Sequence, residues 1–480
     1  MLERFEKIES GGKGKPDDEF LLFGKNLLTP EKIQEGGVLV KKGVIQEVLS
    51  SKEVLEFSSS EEVLQGFPVI DAGSLVILPG LIDTHVHLNE PGRTEWEGFK
   101  TGTLAAAAGG ITTVFDMPLN SIPVTINQEA FKIKITAAQN QVYVDCGFWG
   151  GLIPSNIKEL EPLVQLGVRG FKCFLIDSGI PEFPAVTEND LKKAMRVLAY
   201  FHVPLLAHAE LDIFQRTAGQ PSHFTQQHNP RLYSTYLASR PKEMENEAIK
   251  LLIQLSRKTG CAVHIVHLSS AEAVPMIQQA KEEGIPITTE TCPHYLFFSA
   301  EEISEKHTEF KCSPPIREKE NQDKLWEALK EGVIDCIVSD HSPCLPELKK
   351  LDSGNFMEAW GGISSLQFTL SAVWTKALEK GIHFTKLVQW MSENTAKLAK
   401  IENQKGKIAK GFDADFILWN PNLSLKIQPS AVLHRHSVTP YLTHTLWGQT
   451  QTTFLRGKMV FNRETSFQTP GGKLLVFADP

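Results

Sequence analysis

Six residues of this chain are of types that bind metal ions or move protons, and they fall within or at the ends of five predicted strands. They are His85 and His87 in LIDTHVHL, Lys172 in VRGFKCFLI, His208 in VPLLAHAE, His267 in AVHIVHLSS and Asp340 in DCIVSDHSP. In a strand, residues i and i+2 project from one face, so His85 and His87 can aim at a single ion. Such a pair also fits histidines that are simply hydrogen-bonded at a strand end. Four histidines and an aspartate at the ends of several strands are harder to assign to packing, because buried polar groups need partners and these would converge on one another. The chemistry open to such a set is metal binding and the activation of water.

Lys172 is the unexpected member. An ammonium aimed at divalent cations is both repelled and desolvated, so Lys172 is not expected there as an ammonium. A lysine nitrogen that has captured CO₂ becomes an anionic carbamate, whose two oxygens can bridge two metals. The alternative is a metal-free barrel in which Lys172 pairs with a carboxylate such as Asp340.

The elements that must position these residues are legible between about Leu81 and Glu402, where short apolar runs alternate with helical stretches. That alternation marks βαβ units and a parallel sheet. The runs above, with ITTVFDMP, VYVDCGFWG and PITTETCPHY, make eight candidate strands. EPLVQLG, ENDLKKAMRVLAYF, ENEAIKLLIQLSRKTG and AEAVPMIQQAKEEG have helical spacing between them. An α/β fold, a (β/α)8 TIM-like barrel, is the economical reading, and its active site would lie at the carboxyl ends of the strands.

On either side the texture changes. FLLFGKNLLTP, GGVLVKKGVIQEVLS and FPVIDAGSLVILPG near the start, and AKGFDADFILWNP and TTFLRGKMVFN near the end, read as antiparallel strands with turns. They predict one smaller β-sandwich built from both termini. The expected divisions are a flexible tail at 1–19, sandwich at 20–78, barrel at 79–403 and sandwich again at 404–480. The polar GGKGKPDDE is too poor in apolar side chains to order itself. Its GKGK lacks the Ser/Thr and the preceding strand of a phosphate loop.

At 480 residues the chain exceeds the size of a single core. A net charge of −8 argues against nucleic acid as a partner and favours a small molecule. Seven cysteines form no C-x-x-C pair, and Cys173, Cys261 and Cys336 sit in apolar runs, which points to a reducing compartment. MLERFEKIES has no signal-peptide core, no run is long enough for a membrane helix, and the FADP ending is not a peroxisomal address, so a cytoplasmic protein without membrane partners is expected.

PGLIDTHVHL, GFKCFL, LLAHAE, VHLSS, TCPHYL, CSPPIR and SDHSP together resemble the cyclic amidohydrolases: dihydroorotases, hydantoinases, dihydropyrimidinases and allantoinases. The resemblance covers nearly the whole chain. It implies two divalent metals, usually zinc, bridged by a carboxylated lysine. Carried over, His85, His87 and Asp340 hold one metal, His208 and His267 the other, and Lys172 carries the CO₂-derived carbamate bridge. His264 faces the other side of its strand and is not counted, and His294 also falls outside the set. His434, His436 and His444 read as ordinary surface or sandwich residues. Two ions sharing a water lower its pKa from 15.7 towards ~7, one ion polarises the scissile carbonyl, and Asp340 passes the proton to the departing ring nitrogen. The resemblance also implies a homotetramer.

Specificity shows in departures from the pattern. Dihydroorotases resemble H-x-H-x-R, with an arginine for the substrate carboxylate; this chain has Asn89 there, which disfavours dihydroorotate. HLNEPGRTEWEGF from His87, DMPLNSIPVT from Asp116 and SDHSPCLPELK from Ser339 are most similar to the allantoinases of the family. That similarity implies ring opening of allantoin to allantoate in purine catabolism, with a hydantoinase or dihydropyrimidinase activity as the alternative. A scaffold of the same fold that has lost its metals is a further alternative, disfavoured because every ligand position is filled. An allantoin pocket needs amide-like partners. Asn120, Ser313 in CSPP and Gly361 in AWGG are the candidate substrate contacts, Gly361 standing where hydantoinases carry an Asn-Gly pair. A turn or capping role fits Asn120 and Ser313 equally well.

Overall fold

The computed structural model describes residues 19–60, 63, 66–214, 229–465 and 469–476. Residues 1–18 of the expected tail lie outside the described residues, and Glu19 already belongs to the first strand.

The chain opens with β1 (Glu19–Leu28), β2 (Ile33–Lys41) and β3 (Val44–Ser50), an antiparallel meander. Lys42 and Gly43 turn β2 into β3 with φ of 52° and 79°, the left-handed pair that matches the twist of a two-residue hairpin. A helix at Ser51–Ser58 follows, its N-terminus closed by Ser50 and Glu53 capping each other. Then come β4 (Val69–Asp71) and β5 (Val76–Pro79). Both run parallel to β1, which corrects the expectation of purely antiparallel strands. The meander has three strands and ends far from where β1 began, so the chain must cross back before β4 can enter, and it enters in the direction of β1.

The middle of the chain supplies the barrel, all of it parallel. Its first members are β6 (Leu81–Val86), β7 (Ile111–Asp116), and β8 (Asp145–Phe148) with β9 (Gly150–Gly151) as one position split at Trp149. They are followed by β10 (Phe171–Phe174), β11 (Leu205–His208), β12 (Val263–Ile265), β13 (Ile287–Thr291) and β14 (Cys336–Ile337). The ring closes where Val86 bridges to His341 and the His87 N–H donates to the His341 carbonyl at 2.8 Å. All eight expected strands are present. Every residue of β6 and β7 is buried, because helices cover the outside and side chains fill the inside, hence continuous apolar runs rather than alternation. The helix Glu188–Tyr200 buries Leu191, Ala194, Met195 and Leu198 as one stripe and starts at a Thr187–Asp190 capping box. The helix Lys242–Thr259 stops at Gly260, with φ of 71°.

The chain finishes with β15 (Phe416–Lys426), β16 (Thr445–Leu455) and β17 (Lys458–Asn462). They continue the terminal sheet in the order β17-β16-β15-β5-β1-β2-β3. Phe20, Leu22, Val38 and Val40 from one end share a core with Phe416, Leu418 and Phe454 from the other, so the smaller layer is assembled from both termini. All seven cysteines are free and buried. Among the described residues no helix is long and apolar enough to cross a membrane.

Candidate metal centre

The six singled-out residues converge at the carboxyl end of the barrel. His85 lies on β6 and His87 just beyond it, Lys172 on β10, and His208 closes β11. His267 and Asp340 follow β12 and β14, with φ of 41° and 43°. Left-handed backbone is unfavourable for non-glycine residues, so the surrounding structure holds these two in place. All six are buried and line one cavity of about 500 Å³.

Two clusters result. Nε2 of His85 lies 3.2 Å and Nε2 of His87 3.8 Å from Oδ1 of Asp340. Nδ1 of His208 lies 3.0 Å from Nε2 of His267. The clusters adjoin, the rings of His85 and His267 being 5.4 Å apart. His85, His87 and Asp340 offer ligand atoms all within 4.8 Å of each other, and so do Cys292, His294 and Asp340.

The electrostatics fit a cation site. Burial, with the charge of Lys172, pushes His85 down to about 4, and burial takes His208 to about 4 as well. His87 and His267 fall well below the ordinary histidine value for the same first reason. The four rings are therefore neutral at neutral pH, the form that ligates metal. His85 Nδ1 faces a carboxylate of Glu290, and His208 Nε2 faces Glu210 at 2.8 Å, so on each ring the opposite nitrogen presents a lone pair to the cavity. A lone pair directed at the Asp340 carboxylate is repulsive unless a cation or a proton lies between them.

Among the described residues Lys172 Nζ has no hydrogen-bond partner, and it is buried, 5.2 Å from the centre of the Phe174 ring. Burial drives its ammonium towards the neutral amine, and burial likewise raises the Asp340 carboxyl. A buried amine with no partner is what carboxylation would convert into a ligand.

Sequence reasoning missed the carboxylates behind the histidines. Glu290 on β13 receives His85 on one oxygen and His264 Nε2, at 2.9 Å, on the other. Against the effect of burial, His85 and His264 hold it far below the usual carboxylate range. Glu210 is held at about 2 against burial by Arg240 and His208. Asp83 accepts the N–H groups of His85 and Ser339, each at 3.0 Å, and so ties the end of β6 to the segment carrying Asp340. One signal was available: Glu290 is a charge inside the predicted barrel strand ITTET, and only a specific partner explains it there.

The three candidate substrate contacts share the cavity. The Asn120 side-chain nitrogen lies 3.4 Å from Nδ1 of His87, and the Asn120 backbone carbonyl accepts from Arg93 at 2.8 Å. Ser313 Oγ pairs with the Tyr236 hydroxyl at 2.7 Å. A Cβ at Gly361 would stand 2.9 Å from Ser313 Oγ, so a side chain there would press on that hydroxyl. Asn89 instead donates to the Pro343 carbonyl at 3.3 Å. His434 corrects its expectation: it is buried, accepts the Gln367 N–H at 3.2 Å and stacks near His341, because the segment before β16 folds over the barrel.

Residues 76–460 match the model of the Amidohydrolase family. The chain is 45% identical over 459 residues to an allantoinase of Arabidopsis thaliana, covering 93% of this chain and 88% of that one. It is 45% identical over 440 residues to an allantoinase of Saccharomyces cerevisiae, covering 91% and 94%. Among solved structures, an L-hydantoinase (dihydropyrimidinase) from Arthrobacter aurescens superposes with a TM-score of 0.85 at 29% identity, covering 95% of this chain and all of that one.

Proposed function

Because this chain belongs to the amidohydrolase family, a conclusion that the match over residues 76–460 carries, we propose that it hydrolyses the ring of allantoin to allantoate. The observation that carries the reading is the set of four neutral imidazoles, one carboxylate and one unpartnered lysine around a single cavity. In this reading His85, His87 and Asp340 would hold one divalent ion and His208 and His267 a second, with Lys172, once carboxylated, as a further ligand. When bound, such a pair supplies an activated water and a Lewis acid for the scissile carbonyl.

The side chains do the rest. Asp340 takes the proton of the attacking water and returns it to the ring nitrogen as the C–N bond breaks, a general acid–base role for a carboxylate at the reacting centre. Asn120 and the Ser313–Gly361 wall hold the ring amides. Glu290 and Glu210 orient the imidazoles of His85 and His208. Zinc as the metal and a homotetrameric assembly belong to the same reading and rest on family resemblance, while a cytoplasmic location rests on the seven free, buried cysteines.

The test is turnover of allantoin, hydantoin and dihydrouracil by the purified protein before chelation, after it, and after metal add-back. Preferred hydrolysis of allantoin that disappears on chelation and returns with about two equivalents of metal supports the reading. Preference for hydantoin or dihydrouracil moves the chain to another branch of the family, and undiminished activity without metal removes the mechanism.

A further inference from the structure

Two buried lysines of the cavity wall have no part in the chemistry above. Lys311 Nζ donates to the carbonyls of Met357 and Ala359, at 3.2 and 2.6 Å, and lies 4.9 Å from the centre of the Tyr236 ring. Lys349 Nζ donates to the carbonyls of Lys311 and Trp360, each at 3.1 Å, and to that of Gly362. Together they clamp residues 357–362, which carry Gly361 against Ser313. Among the described residues neither ammonium has a carboxylate partner. Burying an ammonium on carbonyls alone is unfavourable, and backbone amide or side-chain amide donors would hold a loop without that cost.

The two lysines differ in one respect. Lys311 lines the cavity together with Tyr236, Ser313 and Gly361, whereas Lys349 lies behind the wall. Burial pushes Lys311 down to about 7; in its charged form it has three donors, and the carbonyls of Met357 and Ala359 occupy two. The third meets the face of the Tyr236 ring, while the hydroxyls of Tyr236 and Ser313 lie against each other at 2.7 Å. A carbonyl arriving through the cavity is a stronger acceptor for that N–H than the face of a ring.

We propose that Lys311 is a specificity-determining residue that donates to a carbonyl oxygen on the substituent of the ring, distal to the amide that is cleaved. With allantoin as substrate, the reading on which this rests, that acceptor is the carbonyl of the exocyclic ureido group. A charge-assisted bond of this kind discriminates strongly, since a ring lacking the arm leaves the ammonium short of a partner.

The experiment compares wild type, Lys311→Met and Lys349→Met, all metal-loaded and matched for thermal stability. It reads KM for allantoin and Ki for unsubstituted hydantoin as a competitive inhibitor. In Lys311→Met, KM for allantoin rises about 10- to 100-fold, while Ki for hydantoin and kcat move by less than about threefold. In Lys349→Met, which loosens the wall without touching substrate, KM and Ki move together. Equal changes of KM and Ki in Lys311→Met, or no change in KM, overturn the assignment and leave the substrate reading intact. A wild type that binds hydantoin but neither binds nor hydrolyses allantoin overturns the substrate reading and this contact with it.

Discussion

Nε2 of His341 lies 3.1 Å from Oε2 of Glu97, both side chains fully buried. The pair joins two stretches far apart in sequence, and His341 directly follows Asp340. Its Nδ1 accepts the Ser365 N–H at 3.2 Å, so Nε2 carries the proton that Glu97 receives. His341 is thus fixed on both ring nitrogens, which helps to hold Asp340 at its positive φ.

Glu97→Ala is expected to lower kcat/KM by about 10- to 100-fold, the effect typical of losing a group that orients a ligand. Steady-state kinetics alongside metal analysis checks it. A fall in thermal stability with unchanged kcat/KM would show that the pair only packs.

Glu290→Gln keeps the size of the side chain but removes the charge that His85 and His264 share. Apparent metal affinity is expected to fall about 10- to 100-fold. Titrating the apoprotein with metal while following intrinsic fluorescence or bound metal measures it without recourse to turnover. Unaltered affinity would exclude an orienting role for Glu290.

The barrel was legible because most of its buried strands sit in short apolar runs separated by helical stretches, and His85, Lys172, His208, His267 and Asp340 lie in those runs or just beyond them. Glu290 and Glu210 were not, because a glutamate in isolation looks like solvated surface until its histidine partner is known. Parallel pairing of β4 and β5 with β1 escaped for a similar reason: strand propensity is local, whereas direction is set by the crossover between strands. His434 looked ordinary because nothing in HRHS reveals that the chain there folds over His341.

His434 sets a pH dependence. Burial pushes it down to about 3, and it accepts a hydrogen bond through Nε2, which requires the neutral ring. Between its unfolded value near 6.5 and the folded one, the unfolded chain binds the extra proton, so stability is present above about pH 6.5 and is lost as pH falls. Compared with His434→Gln, wild type should lose about 1.4 kcal/mol more per pH unit over that window. Urea unfolding at pH 6.5, 5.5 and 4.5 reads the difference, and parallel profiles would rule it out.

Lys405 is buried among Asp145 at 2.8 Å, Asp413 at 2.9 Å and Asp415 at 2.6 Å, with Arg456 also on Asp145. Asp145 begins a barrel strand, and Asp415 immediately precedes β15 of the terminal sheet. Lys405→Met leaves Asp413 and Asp415 without a cation in the interior and Asp145 with Arg456 alone, and is expected to cost about 3 to 5 kcal/mol of unfolding free energy. Denaturant titration measures the loss, and kcat of the folded fraction should stay near wild type, since the cluster sits at the amino ends of the strands. A loss below about 1 kcal/mol would show the cluster to be solvated.

β5 sits between β1, which precedes it, and β15, which is made only after the entire barrel. On the ribosome, at roughly 5 to 20 residues per second, one side of β5 therefore waits on the order of tens of seconds for its partner. An unsatisfied strand margin is a template for pairing with other chains. Yield in the cell should thus depend on how well nascent chains are shielded during that interval, and a circular permutant that brings β15 next to β5 in order of synthesis should need less chaperone.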